Sequence, residues 1–200
     1  MRRVLACALA VVILVGPLAA CDSGDEPGRA PAGAGTGPTP TVVPRVWPLP
    51  DDPSAAAAKA GLQMLDREML AVHYHAHVDV LVRGVAIRVP ANIGIDVRRQ
   101  RISALHTHDA TGIVHIESGE DIPFTLGQFF TEWGQPLTTG RVGPVAVQPG
   151  EELRVYRNGR RETGNPGALR FRAHDQIVVW LGPATERPRV PATYKFPAGL

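Results

Sequence analysis

The chain has 200 residues, 44% of them hydrophobic and 20% charged, with a formal net charge of +2 at pH 7. That length suits one domain around one core. Without Arg2 and Arg3 the 21 Lys and Arg fall to 19, equal to the 19 Asp and Glu, so charge gives no footprint for nucleic acid.

The first residues read as a targeting signal. Met1-Arg2-Arg3 is a short positive start, and residues 4–15 form an apolar run too short to span a bilayer as a permanent helix. Leu18-Ala19-Ala20-Cys21 resembles the lipobox of bacterial lipoproteins. That resemblance implies cleavage after Ala20 and lipid on the Cys21 sulfur. Residues 1–20 are then a signal peptide, and the expected location is extracytoplasmic, anchored to the cell membrane by lipidated Cys21. Cys7 and Cys21 are the only cysteines. With the first removed and the second lipidated, no thiol is left for disulfides or metal, so any metal must be held by His, Asp, Glu or water.

Residues 21–53 are rich in Pro, Gly, Ala and Thr and carry no apolar period, the composition of a disordered tether. The end of that segment, "VVPRVWPLP", can pack on the domain through Trp47. One globular domain is expected over residues 54–200. Ser54 is placed to cap a helix running to about Ala71, with Leu62, Leu65 and Met69 on one stripe and Gly61 as its weak point.

From Val72 the period changes to two. "VHYHAHVDVLVRGVAIRVP" predicts a strand, a tight turn at Arg83-Gly84 and a second strand. Val72, Tyr74, Ala76, Val78, Val80 and Val82 then face a core, and His73, His75, His77 and Asp79 face away. A second hairpin is predicted from Arg101 to Glu117, turning through residues 109–112. "FTLGQFFTEWG" predicts a short helix with Thr125 and Gln128 as a capping box and Leu126, Phe129, Phe130 and Trp133 as its apolar stripe. Strands are expected at "VAVQ", "ELRVYR", "ALRFRA" and "QIVVWLG", with Asn158-Gly159 as a hairpin turn. The arginines between 154 and 172 are expected to form a solvated face. The fold class is α+β: mostly antiparallel hairpins packed by one short amphipathic helix. The C-terminal half looks like a β-grasp, and a small β-sandwich is the alternative.

Six of the seven histidines lie in two short segments, "HYHAH" and "HTHDATGIVH". Centring the second turn on Ala110-Thr111 sets His106 opposite His115, Leu105 opposite Ile116 and Thr107 opposite Val114. This register gathers Leu105, Val114 and Ile116 on one face and His106, His108, His115 and Glu117 on the other; a one-residue slip would mix them. Two imidazoles across a hairpin and a third two residues on can converge on one cation, zinc or copper by ligand type. His106, His108 and His115 are the first candidates, with His75 and His77 added if the first strand lies alongside. Asp79, Asp109 and Glu117 are candidates for further ligands or for groups that orient the imidazoles. His174 is expected as a polar turn residue.

Two other readings stay open: an interaction module of the cell envelope with structural or pH-responsive histidines, and a metal-assisted hydrolase or hydratase. No G-x-S-x-G, H-E-x-x-H or phosphate-binding glycine loop occurs, and no catalytic set is assigned. The segments "HAHVDVLVRG", "VPANIGI", "LHTHDATGIVHIES" and "FTLGQFFTEWG", within residues 72–134, resemble an uncharacterised family of secreted bacterial proteins. That resemblance implies one recurring domain and carries no activity with it.

Overall fold

A computed structural model describes residues 43–68 and 71–200. The signal segment, Cys21 and the tether up to residue 42 lie outside the described residues, as does Met69 of the expected stripe. Among the described residues no helix is long and apolar enough to cross a membrane.

The packed chain begins upstream of Ser54. Trp47 is only 1% exposed and its ring lies 5.5 Å from that of Trp133. Val46 bridges to Arg88, so residues 43–53 pack with the domain, although the sequence assigns them to the tether. Helix α1 (Pro53–Lys59) is capped by Asp52, whose carboxylate accepts the Ala55 amide at 3.0 Å. The Ser54 hydroxyl, expected as the cap, instead donates to Asp96. The helix ends well before Ala71. Gly61 turns the chain at φ +72°, and Met64–Leu65 then pairs as a strand with Arg101–Ser103. In this extended chain Leu62 enters the core and Met64, rather than Leu65, packs against it.

The main sheet contains β1 (Val72–Val82), β2 (Val85–Ile87), β3 (Leu105–His106), β4 (Ile113–Ser118), β5 (Glu151–Arg157), β6 (Arg160–Glu162) and β7 (Gln176–Pro183). Across the sheet the order is β6-β5-β7-β1-β4-β3, and β2 pairs with the end of β1 beyond β4. All neighbours run antiparallel except β7 and β1, which are parallel. Both predicted tight turns close as expected. Arg83-Gly84 and Asn158-Gly159 each take φ between +51° and +76°, the left-handed pair that matches strand twist in a two-residue hairpin. The order β2-β1-β7-β5-β6, with the first and last strands parallel at its centre, is that of a β-grasp. The hairpin that completes it is the first one, at Val72–Ile87, rather than the second.

The period of two sorts the faces. Ala76, Val78, Val80 and Val82 of β1, Leu105 of β3 and Val114 and Ile116 of β4 all enter one core. Helix α2 (Leu126–Glu132) covers it. Thr125 and Gln128 form the expected capping box, and Leu126, Phe129, Phe130 and Trp133 are all fully buried. Burying four such side chains contributes roughly 1.5–3 kcal/mol each, the dominant local term holding helix to sheet. "ALRFRA" is not a strand: Pro166–Ala168 is a 3-10 turn and Arg170 makes an isolated bridge to Thr125.

The opposite face is divided. At one end Tyr156, Val178 and Trp180 form a small apolar cluster with Leu81 and Val190. Arg154, expected in solvent, is buried here. Its guanidinium lies 4.8 Å over Trp180 and donates to the carbonyl oxygens of Ala184 and Glu186, which ties the C-terminal segment across the sheet. The histidines occupy the other end.

Candidate metal centre

The hairpin register is the one the sequence predicts: Leu105 pairs with Ile116 and His106 with His115. It is shorter than expected, because Arg101–Ser103 leaves to pair with Met64–Leu65 and Ile95–Asp96. On its other edge β4 lies against β1, with His75 opposite His115 and His73 opposite Glu117. The two histidine segments are therefore adjacent. His75, His115 and His106 stand in one row across three strands, each about 4.8 Å from the next in the hydrogen-bonding direction.

The side chains converge. His75 Nε2 is 3.1 Å from His115 Nδ1, and His106 Nε2 is 3.2 Å from His108 Nε2. Rings of His108 and His115 meet edge to face at 4.5 Å, while those of His106 and His115 are near parallel at 5.2 Å. Glu117 reaches under the group. Its Oε1 lies 3.3 Å from His73 Nε2, 3.7 Å from His115 Nδ1 and 4.0 Å from His106 Nε2. Glu68, from the segment before β1, approaches His108 at 3.7 Å.

Burial sets the protonation of this group. His106 is fully buried and its Nδ1 is 2.9 Å from the Ser103 carbonyl oxygen, so Nδ1 carries the hydrogen and Nε2 turns its lone pair to the cluster. Loss of hydration pushes the His106 imidazole down to about 3; the Ser103 carbonyl opposes this, and His108 and His115 add to it. His115 is pushed down to about 4, again by burial first and then by His108 and His75. His75 is lowered too, by burial first and then by His73 and His174. The Glu117 carboxyl is raised, mainly by burial and then by Glu68, and its Oε2 is buried with no hydrogen-bond partner. In the metal-free chain each close pair of ring nitrogens is joined by one N–H, and the buried Glu117 Oε2 has no hydrogen-bond partner. Exchanging those shared N–H groups for a divalent cation would leave every ring neutral and give Glu117 a partner, so the group could hold a metal ion.

Three sets of donors lie within 4.8 Å of one another: His73, His75, His115 and Glu117; His106, His108 and His115; and Glu68, His106 and Glu117. Imidazole and carboxylate with no sulfur is the chemistry of zinc, copper and other borderline metals. Set against known protein families, curated proteins and solved structures, the chain matches none.

Of the residues singled out by sequence, His75, His106, His108, His115 and Glu117 come together. His77 does not. It faces the same side of β1 but lies further along, where Nδ1 meets the Gln176 side-chain oxygen at 2.9 Å and Nε2 meets the Thr111 carbonyl at 2.8 Å. Both ring nitrogens are thus engaged in this second network and turned away from the other histidines. Tyr194 stacks on the ring at 3.7 Å and closes the remaining side. Asp79 stays with this second network, accepting from Gln176 Nε2. Asp109 is exposed and ties its own turn, accepting from the Thr111 amide at 2.9 Å. His174 is a turn residue with φ +58°, and its amide donates to the His75 carbonyl.

Two participants lie outside the set chosen from sequence. His73 sits on the predicted polar face, and the same alternation that selects His75 selects it. Glu68 has no local signal, because only the fold brings the segment before β1 over His108.

Proposed function

We propose that this chain is a cell-envelope protein that binds a divalent transition metal, zinc or copper, through the histidines of β1, β3 and β4. The observation that carries the reading is the row His75–His115–His106, three neighbouring imidazoles with low proton affinity whose nitrogens face one another and a buried carboxylate. His106 and His115 supply its centre, His75 and His108 its flanks, and Glu117 the negative charge. The signal-like residues 1–20 and the lipobox-like Leu18–Cys21 support attachment to the membrane by lipid on Cys21, with the domain held outside it. Metal content and calorimetric titration of the purified chain test the metal site. The wild type is expected to bind zinc or copper, and His106→Ala and His115→Ala to lose most of that affinity. Equal binding by wild type and both variants would remove this reading.

A further inference from the structure

The donors are too many, and too evenly split, for one ion. Zinc in a protein takes four ligands at about 2.0–2.2 Å, so the donor atoms of one ion lie within about 4 Å of one another. Among the described residues no donor set within 4.8 Å contains both the His73–His75 pair and the His106–His108 pair. The sheet explains the division. His73 and His75 belong to β1 on one side of β4, while His106 and His108 come from β3 and the turn after it, on the other side.

Only two residues reach both sides, and both are on β4. His115 belongs to the set with His73 and His75 and to the set with His106 and His108. Glu117 belongs to the set with His73 and His75 and to the set with Glu68 and His106. A carboxylate has two oxygens, and in Glu117 Oε1 is near His73, His115 and His106 while Oε2 is buried with no partner. Two-metal sites hold their ions about 3.5–4 Å apart, a span one carboxylate bridges. Neighbouring strands are about 4.8 Å apart, so two ions seated over the gaps beside β4 would have to lean toward it by roughly 1 Å in all to reach that separation.

Resting on the metal reading above, we propose that this face holds two divalent transition-metal ions, one on each side of His115, bridged by Glu117. The first takes His73 and His75. The second takes His106 and His108, which with His115 form one donor set, and Glu117 reaches it on the His106 side. His115 stands between them.

The test is stoichiometry on the full chain, purified in detergent, stripped of metal and titrated with Zn²⁺ and with Co²⁺. Two equivalents per chain are expected, and Co²⁺ should show magnetic coupling between the paired ions. His73 and His108 are both more than 40% exposed and lie at the two outer ends, so neither holds the fold. His73→Ala and His108→Ala should each reduce binding from two equivalents to one, and together leave at most a weak remainder. Glu117→Gln should abolish the coupling. A single equivalent in the wild type, or two equivalents without coupling, overturns the two-ion proposal and leaves the metal reading standing. No binding at all overturns both.

Discussion

His75 Nε2 and His115 Nδ1 stand 3.1 Å apart on adjacent strands, closer than two such groups approach unless one donates or a cation lies between them. A metal that binds only the folded chain stabilises it, by about 2.7 kcal/mol at a concentration one hundred times the Kd. Thermal unfolding of the metal-free protein should therefore shift upward when zinc is added and return when chelator is added. In His75→Ala the shift should shrink by more than half. An unchanged shift in that variant would place the ion elsewhere.

The same nitrogens make the metal-free domain sensitive to acid. In the unfolded chain the imidazoles gain protons below about 6.5, whereas in the fold His115 and His106 resist until about 4 and about 3. The unfolded state thus binds more protons between about 6.5 and about 3, and stability falls as pH drops through that window. A loss of at least about 3 kcal/mol by pH 4 is expected, from roughly 1.4 kcal/mol per pH unit for each buried ring. Urea midpoints at pH 7, 5 and 4 read it directly, and a flat profile would contradict the protonation assigned to the row.

Glu132 acts in the opposite sense. It lies on the buried face of α2, and burial pushes its carboxyl up to about 8. The folded state holds this proton while the unfolded state loses it above about 4.5, so stability falls as pH rises from about 4.5 to about 8. Replacing the acid with a neutral group of the same shape removes that dependence. Glu132→Gln should raise stability by on the order of 2 kcal/mol at pH 7, by little at pH 5, and leave metal binding as it was.

His77 separates structure from metal. His77→Ala removes the contacts to the Gln176 side chain and the Thr111 carbonyl and the surface on which Tyr194 stacks. A loss of about 2–3 kcal/mol is expected, with metal affinity within a factor of three of wild type. Titration alongside denaturation distinguishes this from a ligand, whose removal would do the reverse.

Gly94 tests the support beneath the hairpin. Its φ is +69°, and a Cβ there would lie 2.0 Å from the Leu105 carbonyl oxygen, which is backbone and cannot swing aside. Gly94→Ala should displace β3, cost more than about 2 kcal/mol and weaken metal binding through His106, whose Cα the same Cβ would meet at 3.3 Å. Wild-type affinity in this variant would show that β3 is free to shift without moving its histidine.

What could be read in advance follows the range of each interaction. The pairing of His106 with His115 is local, and the alternation of Leu105, Val114 and Ile116 with histidine admits one register, so it was legible. The capping box of α2 and the two glycine turns are local in the same way. The contact of β1 with β4 joins residues 40 apart, and nothing in either segment specifies its partner. His77 could not be told from His75 by alternation. Its separate fate is decided by Gln176 on β7 and Tyr194 in the C-terminal segment, both far away in sequence. The helix beyond Lys59 failed because the left-handed φ of Gly61 ends it and Met64–Leu65 finds a distant partner in Arg101–Ser103, so the three-residue spacing of Leu62 and Leu65 is not used.

The placement of β4 between a near partner and a distant one also sets an order of assembly. His106 and His115 are nine positions apart, and a hairpin of that size closes in about 1–10 μs. The β1–β4 contact and the parallel β7–β1 contact must wait for much longer loops to close. The three-imidazole side of the site therefore exists before the other. Metal present while the chain folds meets a hairpin already able to hold it and gives β1 a charged target to close upon. Metal added after folding finds that step already taken, so it should change how tightly the domain holds together but not how fast it forms.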